Sequence, residues 1–384
     1  IERRLKEELD IPVMHDDQHG TAIISAAALL NALELAEKNI NDVKIVVSGA
    51  GAAAISCTKL YRAFGADVKN IVMLDSKGVI RKDRENLSLE KKEFATHLNV
   101  NNLDEAIVDA DVFIGLSMAD ILSPEMLLKM AKNPIVFAMA NPNPEIEYTL
   151  ACKTREDVIM ATGRSDHPNQ VNNVLGFPFI FRGALDVRAT TINESMKMAA
   201  VNALAALAKE SVPEQVNVVY DETRLTFGRD YIIPKPFDPR LISTIPIAVA
   251  KAAIESGVAQ EPIEDWERYK EELSGRLGTS QKMVRILHDR AKTSPKRLVF
   301  AEADQMDVLK AAQIVQEEGI AIPILLGNRA TIEDLRTAIS FDDDVEIIDP
   351  KEETYNDQRN IYAELFWKDQ RRKGYTQYDT LRLM

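Results

Sequence analysis

The sequence predicts an α/β chain, a doubly wound parallel sheet followed by the start of a second α/β domain. Three observations predict it. Short β-branched runs alternate with helical segments from Val43 to Gly163, a glycine-rich turn follows the first run, and the alternation restarts at Arg297 after a charged stretch.

The elements follow in order. Ile1 to Leu9 is charged and helix-like, and an apolar helix is expected over Ala22 to Leu35. Val43 to Ser48, Ile71 to Asp75, Val112 to Leu116, Ile135 to Ala140 and Val158 to Thr162 each read as a strand buried on both faces, as parallel sheets require. Ser123-Pro124-Glu125 gives an N-cap, a pre-set first helical residue and an acid in the first turn, ahead of Met126 to Ala131. Asn193 to Glu210, capped by Asn193, and Pro239 to Ser256 are long apolar helices that close the domain. Gln260 to Gly278 is charged, holds Trp266 and Tyr269 at i, i+3 and ends in glycines, so it marks a boundary. Beyond it, strands are expected at Arg297 to Ala301, Ile322 to Leu326 and Val345 to Ile348, with helices at Met306 to Glu318 and Thr331 to Ile339. Three strands followed by Tyr355 to Lys373 leave apolar surface to cover.

Composition narrows the function. At 384 residues the chain exceeds one ordinary core, and 46% apolar with 28% charged residues describes a globular protein. Ile23 to Leu35 is interrupted by Asn31 and Glu34, so no run reaches the roughly 18 apolar residues of a membrane helix. A net charge of -13 without a long Lys/Arg run argues against nucleic-acid partners. Cys57 and Cys152 lie far apart and suggest neither disulfides nor a thiolate metal site, which places the chain in a reducing compartment, the cytoplasm. An opening Ile and an ending inside a helix-like run suggest a fragment.

The first chemical motif is Gly49-Ala50-Gly51-Ala52-Ala53-Ala54, directly after a strand and opening a helix. It is the G-x-G-x-x-A form of the dinucleotide fingerprint: Gly49 permits the tight turn, Gly51 admits a pyrophosphate, and Ala54 allows close helix packing. The second strand ends in Asp75, placed to bind a ribose hydroxyl of NAD, yet Ser76 and Lys77 follow and suit a 2'-phosphate. NAD and NADP both stay open. The second motif is His15-Asp16-Asp17-Gln18-His19-Gly20-Thr21, read as a strand-to-helix turn whose adjacent carboxylates can divide labour between a Mg²⁺ or Mn²⁺ ion and a neighbouring base. The plain alternative is an Asp N-cap. A zinc reading of His15 and His19 at i, i+4 is set aside, because Gly20 is expected to interrupt any helix there and the Glu base is missing. Two asparagine clusters, Asn141-Pro142-Asn143-Pro144 and the run from Thr162 to Asn173, fall past carboxyl ends of strands, where open α/β sheets bind ligands. Loop capping would explain any one of these asparagines alone.

Ile11 to Ala22, Val47 to Ala54, Ala138 to Ile146 and Ala161 to Pro178 together resemble the bacterial malic enzymes. The hybrid type fits best, in which a phosphotransacetylase-like domain follows, since Arg297 onward (RLVFAEAD, then IPILLGN) resembles that part. The resemblance implies that residues 1–22 end an N-terminal domain, 23–259 form a Rossmann-like NAD(P)-binding domain, 260–284 a helical linker and 285–384 the start of the phosphotransacetylase-like domain. It implies Asp17 as a metal ligand, Asp16 as support for a catalytic lysine, cofactor contacts at Ala50 to Ala53 and Asn143, and Asn141 and Asn173 near substrate and nicotinamide. The lysine itself, a catalytic tyrosine and a Glu-Asp pair completing the metal site are expected in sequence preceding Ile1. The implied reaction is oxidative decarboxylation of L-malate with NADP, or NAD, by a homo-oligomer whose C-terminal domain answers to acetyl-CoA. The alternative is a non-catalytic module that binds nucleotide and senses a CoA thioester.

Overall fold

The computed structural model describes residues 2–220, 225–276, 287, 290–339, 341 and 344–383. The chain divides into two compact units, Ile1–Leu277 and Gly278–Met384.

In the first unit six strands line up in the order β3-β2-β1-β4-β5-β6: β1 (Ile45–Ser48), β2 (Ile71–Asp75), β3 (Gly78–Val79), β4 (Val112–Gly115), β5 (Ile135–Ala138) and β6 (Ile159–Thr162). All neighbours are parallel except the short β3, which turns back antiparallel on β2. The strand residues have no polar face because the sheet has two cores. Ile45, Val47, Ile71, Met73, Val112, Ile114, Ile135, Phe137 and Ile159 face one; Val46, Val72, Leu74, Phe113, Val136 and Met160 face the other. Each fully buried side chain of this size contributes about 1.5–3 kcal/mol, so the alternation fixes the register of every strand.

The unit also holds α1 (Glu2–Glu8), α4 (Leu89–Glu93) and α10 (Glu214–Val219); the first core is closed by α2 (Asp16–Leu35), α3 (Ala52–Ala63), α8 (Phe177–Asp186), α9 (Glu194–Leu207) and α11 (Leu241–Glu255), and the second by α5 (Leu103–Ala106), α6 (Pro124–Leu128) and α7 (Tyr148–Thr154). Asn193 caps α9 by accepting from the Met196 N–H, and Ser123 caps α6 the same way through Met126. Two expectations need correction. The first long helix starts at Asp16, six residues before Ala22, and runs straight through Gly20; residues 11–15 form no strand. A buried, Ala-rich helix held by α3 and α9 outweighs the ~1 kcal/mol that one internal glycine costs. The other concerns the segment expected as a helical linker over 260–284, of which 277–284 lie outside the described residues. Its helix α12 (Trp266–Gly275) docks on the first unit, where Tyr269 is buried and donates a 2.7 Å hydrogen bond to Asp186, and Lys251 lies over the Trp266 ring.

The second unit holds a parallel sheet of β7 (Lys296–Phe300), β8 (Ala321–Leu326) and β9 (Glu346–Ile348), flanked by helices Met306–Glu317 and Arg329–Ala338. Ala303, Leu309, Leu325, Ile332, Phe341 and Ile347 form its core. Leu298, Val299 and Ile322 are about half exposed, which agrees with a small sheet that leaves apolar surface.

Candidate active site

The turn after β1 has the geometry of a phosphate cradle. Gly49 adopts φ +117°, and a Cβ there would stand 2.5 Å from the Leu116 carbonyl oxygen, so two constraints demand glycine. Gly51 is the N-cap of α3 and has no side chain to satisfy the first-turn N–H groups; a Cβ there would meet nothing within 4 Å. The protein itself leaves that space empty. Ala50, Ala52 and Ala53 line the opening and Ala54 is buried beneath them. First-turn N–H groups without a side-chain cap and a positive helix end at the switch point between β1 and β4 suit a pyrophosphate.

Asp75 ends β2, and its carboxylate is already occupied. Arg84 donates to both oxygens at 3.0 and 3.1 Å, Lys91 to Oδ2 at 2.7 Å, and the Lys77 N–H to Oδ1 at 3.0 Å. Burial alone would raise its pKa, but these donors outweigh it and hold the carboxyl far below its ordinary range. Ser76 and Lys77 stand exposed beside it.

The paired acids open α2, with His15 as the N-cap, so neither aspartate is the cap. Asn173, 157 residues downstream of Asp16 at the start of a short 3-10 helix (Asn173–Leu175) beyond β6, donates its amide to Asp16 Oδ2 at 3.0 Å and approaches Asp17 Oδ1 at 3.4 Å, while Thr21 Oγ1 donates back to Asn173 Oδ1 at 3.0 Å. The Asn173 amide nitrogen thus contacts both acids. Asp16 Oδ1 is buried and has no partner among the described residues. Burial, joined by the neighbouring Asp17 charge, raises the Asp16 pKa against the Asn173 hydrogen bond. Among the described residues no three His, Cys, Asp or Glu side chains converge on a metal position. The adjacent oxygen donors nonetheless fit part of a hard-cation site, and the orphaned oxygen fits a further cation.

Asn141 and Asn143 stand exposed in the loop after β5. The loop leading to Asn173 is anchored by buried Asn169, which donates to the Met160 and Arg229 carbonyls and accepts from the Ile232 N–H.

Sequence reasoning missed three features. Gly20 makes room for the acid pair, because a Cβ there would lie 2.1 Å from Asp16 Oδ1. A lone glycine inside an Ala-rich stretch was the available signal. Behind it, buried Lys197 donates to His19 Nδ1 at 3.2 Å, which puts the ring proton on Nε2, 3.0 Å from Glu2. Burial and then the Lys197 charge lower the His19 pKa. Lys6, His19 and the His15 N–H hold Glu2 down to about 2, against the opposing effect of burial. This engagement, rather than a helix break, removes His19 from any zinc reading. The third is Glu145, fully buried between the ends of β4 and β5. Its signal was an acid set directly between Pro144 and Ile146.

The family model for the malic enzyme NAD-binding domain matches residues 18–224, more than half of the chain, and that for phosphate acetyl/butaryl transferase matches residues 282–384. The chain belongs to the malic enzymes. An NADP-dependent malic enzyme of Rhizobium meliloti (strain 1021) is 47% identical over 100% of this chain and 51% of its own length. An NAD-dependent malic enzyme of the same organism is 49% identical over 95% of the chain and 48% of itself. The crystal structure of Entamoeba histolytica malic enzyme superposes with a TM-score of 0.64 at 33% identity, covering 89% of this chain and 63% of that one. The malic enzyme chain here thus spans about half the length of the curated relatives it matches.

Proposed function

We propose that this chain is the cofactor-binding part of an enzyme that converts L-malate and NADP⁺ to pyruvate, CO₂ and NADPH. The observation that carries the reading is the contact of Asn173 with both Asp16 and Asp17, which gathers two carboxylates beside a sheet that also offers a dinucleotide turn. A bound Mg²⁺ or Mn²⁺ would supply Lewis acidity toward the C2 oxygen of malate and the enolate left by CO₂ loss. Asp17 would be a ligand to it. Asp16, with its raised proton affinity and free Oδ1, would hold a catalytic lysine from elsewhere in the enzyme. Asn173 keeps the two acids in register, and Gly20 keeps Asp16 in place. Gly49 to Ala53 would cradle the pyrophosphate, with Asn141 and Asn143 on the nicotinamide and substrate side. One carboxylate, Asp17, is far fewer ligands than either cation needs, so the reading requires further oxygen ligands from the rest of the enzyme.

The preference for NADP over NAD rests on Asp75. A carboxylate held by Arg84 and Lys91 is a poor acceptor for a ribose hydroxyl, and its charge is balanced before any ligand arrives. Exposed Lys77 and Ser76 can then pair with a 2'-phosphate. For the second unit, which matches the phosphate acetyl/butaryl transferase family, we propose a regulatory response to acetyl-CoA, and for the complete enzyme a homo-oligomeric state in the cytoplasm. The test is malate-dependent NADP reduction by the complete enzyme, with pyruvate measured as product. Activity should vanish on chelation and return with Mn²⁺; activity indifferent to chelation would overturn the metal role.

A further inference from the structure

Glu145 is a buried carboxyl group that no part of the reaction uses. Its side chain is 0% exposed, and its carboxylate accepts from the Ser117 N–H at 3.0 Å through Oε1 and from the Ala140 N–H at 3.0 Å through Oε2. No described cation pairs with it. The last ladder bond between β4 and β5 runs from the Met139 N–H to the Gly115 carbonyl at 3.1 Å, and beyond it the carboxylate stands between the two strand ends. Gly115 is glycine because a Cβ there would meet the Glu145 carboxyl atoms at 2.3–2.6 Å. The bonds continue toward the dinucleotide turn: Ser117 Oγ lies 2.9 Å from Ser48 Oγ, the Leu116 N–H donates to the Ser48 carbonyl at 2.8 Å, and Gly49 comes next. The Pro144 and Glu145 carbonyls accept from the Asp120 and Leu122 N–H groups, so the loop after β4 is clasped at both ends. On the other side, Ala140 leads directly into Asn141 and Asn143.

We propose that Glu145 is a positioning residue for the cofactor, a wedge whose two hydrogen bonds set both loops that wall the dinucleotide crevice. The inference rests on the crevice taking a nicotinamide dinucleotide. Glu145→Gln keeps the size of the side chain but turns one acceptor into a donor, so one of the two N–H groups loses its partner and its loop shifts. The experiment is calorimetric titration of NADP⁺ and NAD⁺ into this chain, wild type and variants, with melting temperatures recorded alongside. Leu127→Ala, which opens a cavity in the core on the same side of the sheet, is the control for lost stability alone. E145Q should bind its preferred cofactor at least tenfold more weakly, while L127A melts lower and binds as wild type does. Ser117→Ala removes only the link to Ser48 and should weaken binding several-fold, which serves as the test if E145Q does not fold. Wild-type affinity in folded E145Q, or in S117A where E145Q does not fold, would overturn the proposal. Equal weakening in E145Q and L127A would do the same. A wild-type chain that binds neither nucleotide would instead overturn the cofactor reading, and this inference with it.

Discussion

Gly20→Ala puts one methyl group where the acid pair has no room. The new carbon would lie 2.1 Å from Asp16 Oδ1, 3.1 Å from its Cγ and 3.2 Å from Asn173 Cβ. Reopening that gap to about 3.0 Å requires the carboxylate to withdraw by roughly 0.9 Å. The backbone raises no objection, since position 20 is inside α2 and alanine there gains about 0.5–1 kcal/mol of helix stability. Against that gain stands the Asp16–Asn173 hydrogen bond, a charge-assisted contact worth ~1.5–3 kcal/mol at most and less where solvent reaches it. The net loss is about 1–2 kcal/mol, a few degrees of melting temperature. Catalysis should suffer far more, because a shift of about 1 Å in a catalytic group costs on the order of 100-fold. The assay is malate-dependent NADP reduction and thermal denaturation of the complete enzyme carrying G20A. A kcat close to wild type, in a protein that melts at the wild-type temperature, would refute the packing argument.

Three further outcomes follow from the same geometry. Gly51→Val should leave the circular dichroism and melting temperature of the chain native, because the space at Gly51 is open, yet raise the cofactor Kd steeply; unchanged affinity would mean that no phosphate passes there. Lys77→Ala should weaken NADP more than NAD in kcat/KM, and equal losses, or a wild-type preference for NAD, would show that Asp75 sets specificity despite Arg84 and Lys91. Asp16→Asn should stabilise this chain at neutral pH. A carboxyl whose folded pKa is raised binds its proton more tightly when folded, so its contribution is fullest below the unfolded value of 3.8 and declines as pH rises through the folded pKa. Urea denaturation should show a pH-dependent decline in wild type that D16N lacks, and identical pH profiles would contradict it.

The parallel sheet was legible because its strands are short β-branched runs with two buried faces, a pattern that needs no long-range information. The glycine turn was legible for a similar reason, since Gly49 and Gly51 act on their own backbone. What could not be read is whatever depends on a partner far along the chain. Asp75 looked ambiguous because Arg84 and Lys91 reach it only once β3 and the following loop fold back. Gly20 looked like a helix breaker because its reason, the carboxylate of Asp16 backed by Asn173, is assembled from 157 residues away. Glu145 was overlooked because its two donors belong to different strand ends. The antiparallel β3 was missed because Gly78 and Val79 are too few to make a pattern.

The central claim, that the carboxylate pair at the start of α2 is half of a metal-dependent decarboxylating site, is tested most directly by Asp17→Asn in the complete enzyme, with Mn²⁺ affinity measured by electron paramagnetic resonance on the same sample used for kinetics. Loss of one carboxylate removes a ligand and a charge from a hard cation. The account predicts weaker Mn²⁺ binding and loss of malate-dependent NADP reduction, with wild-type cofactor affinity and an unchanged fold. Wild-type Mn²⁺ affinity together with near-normal turnover would contradict it.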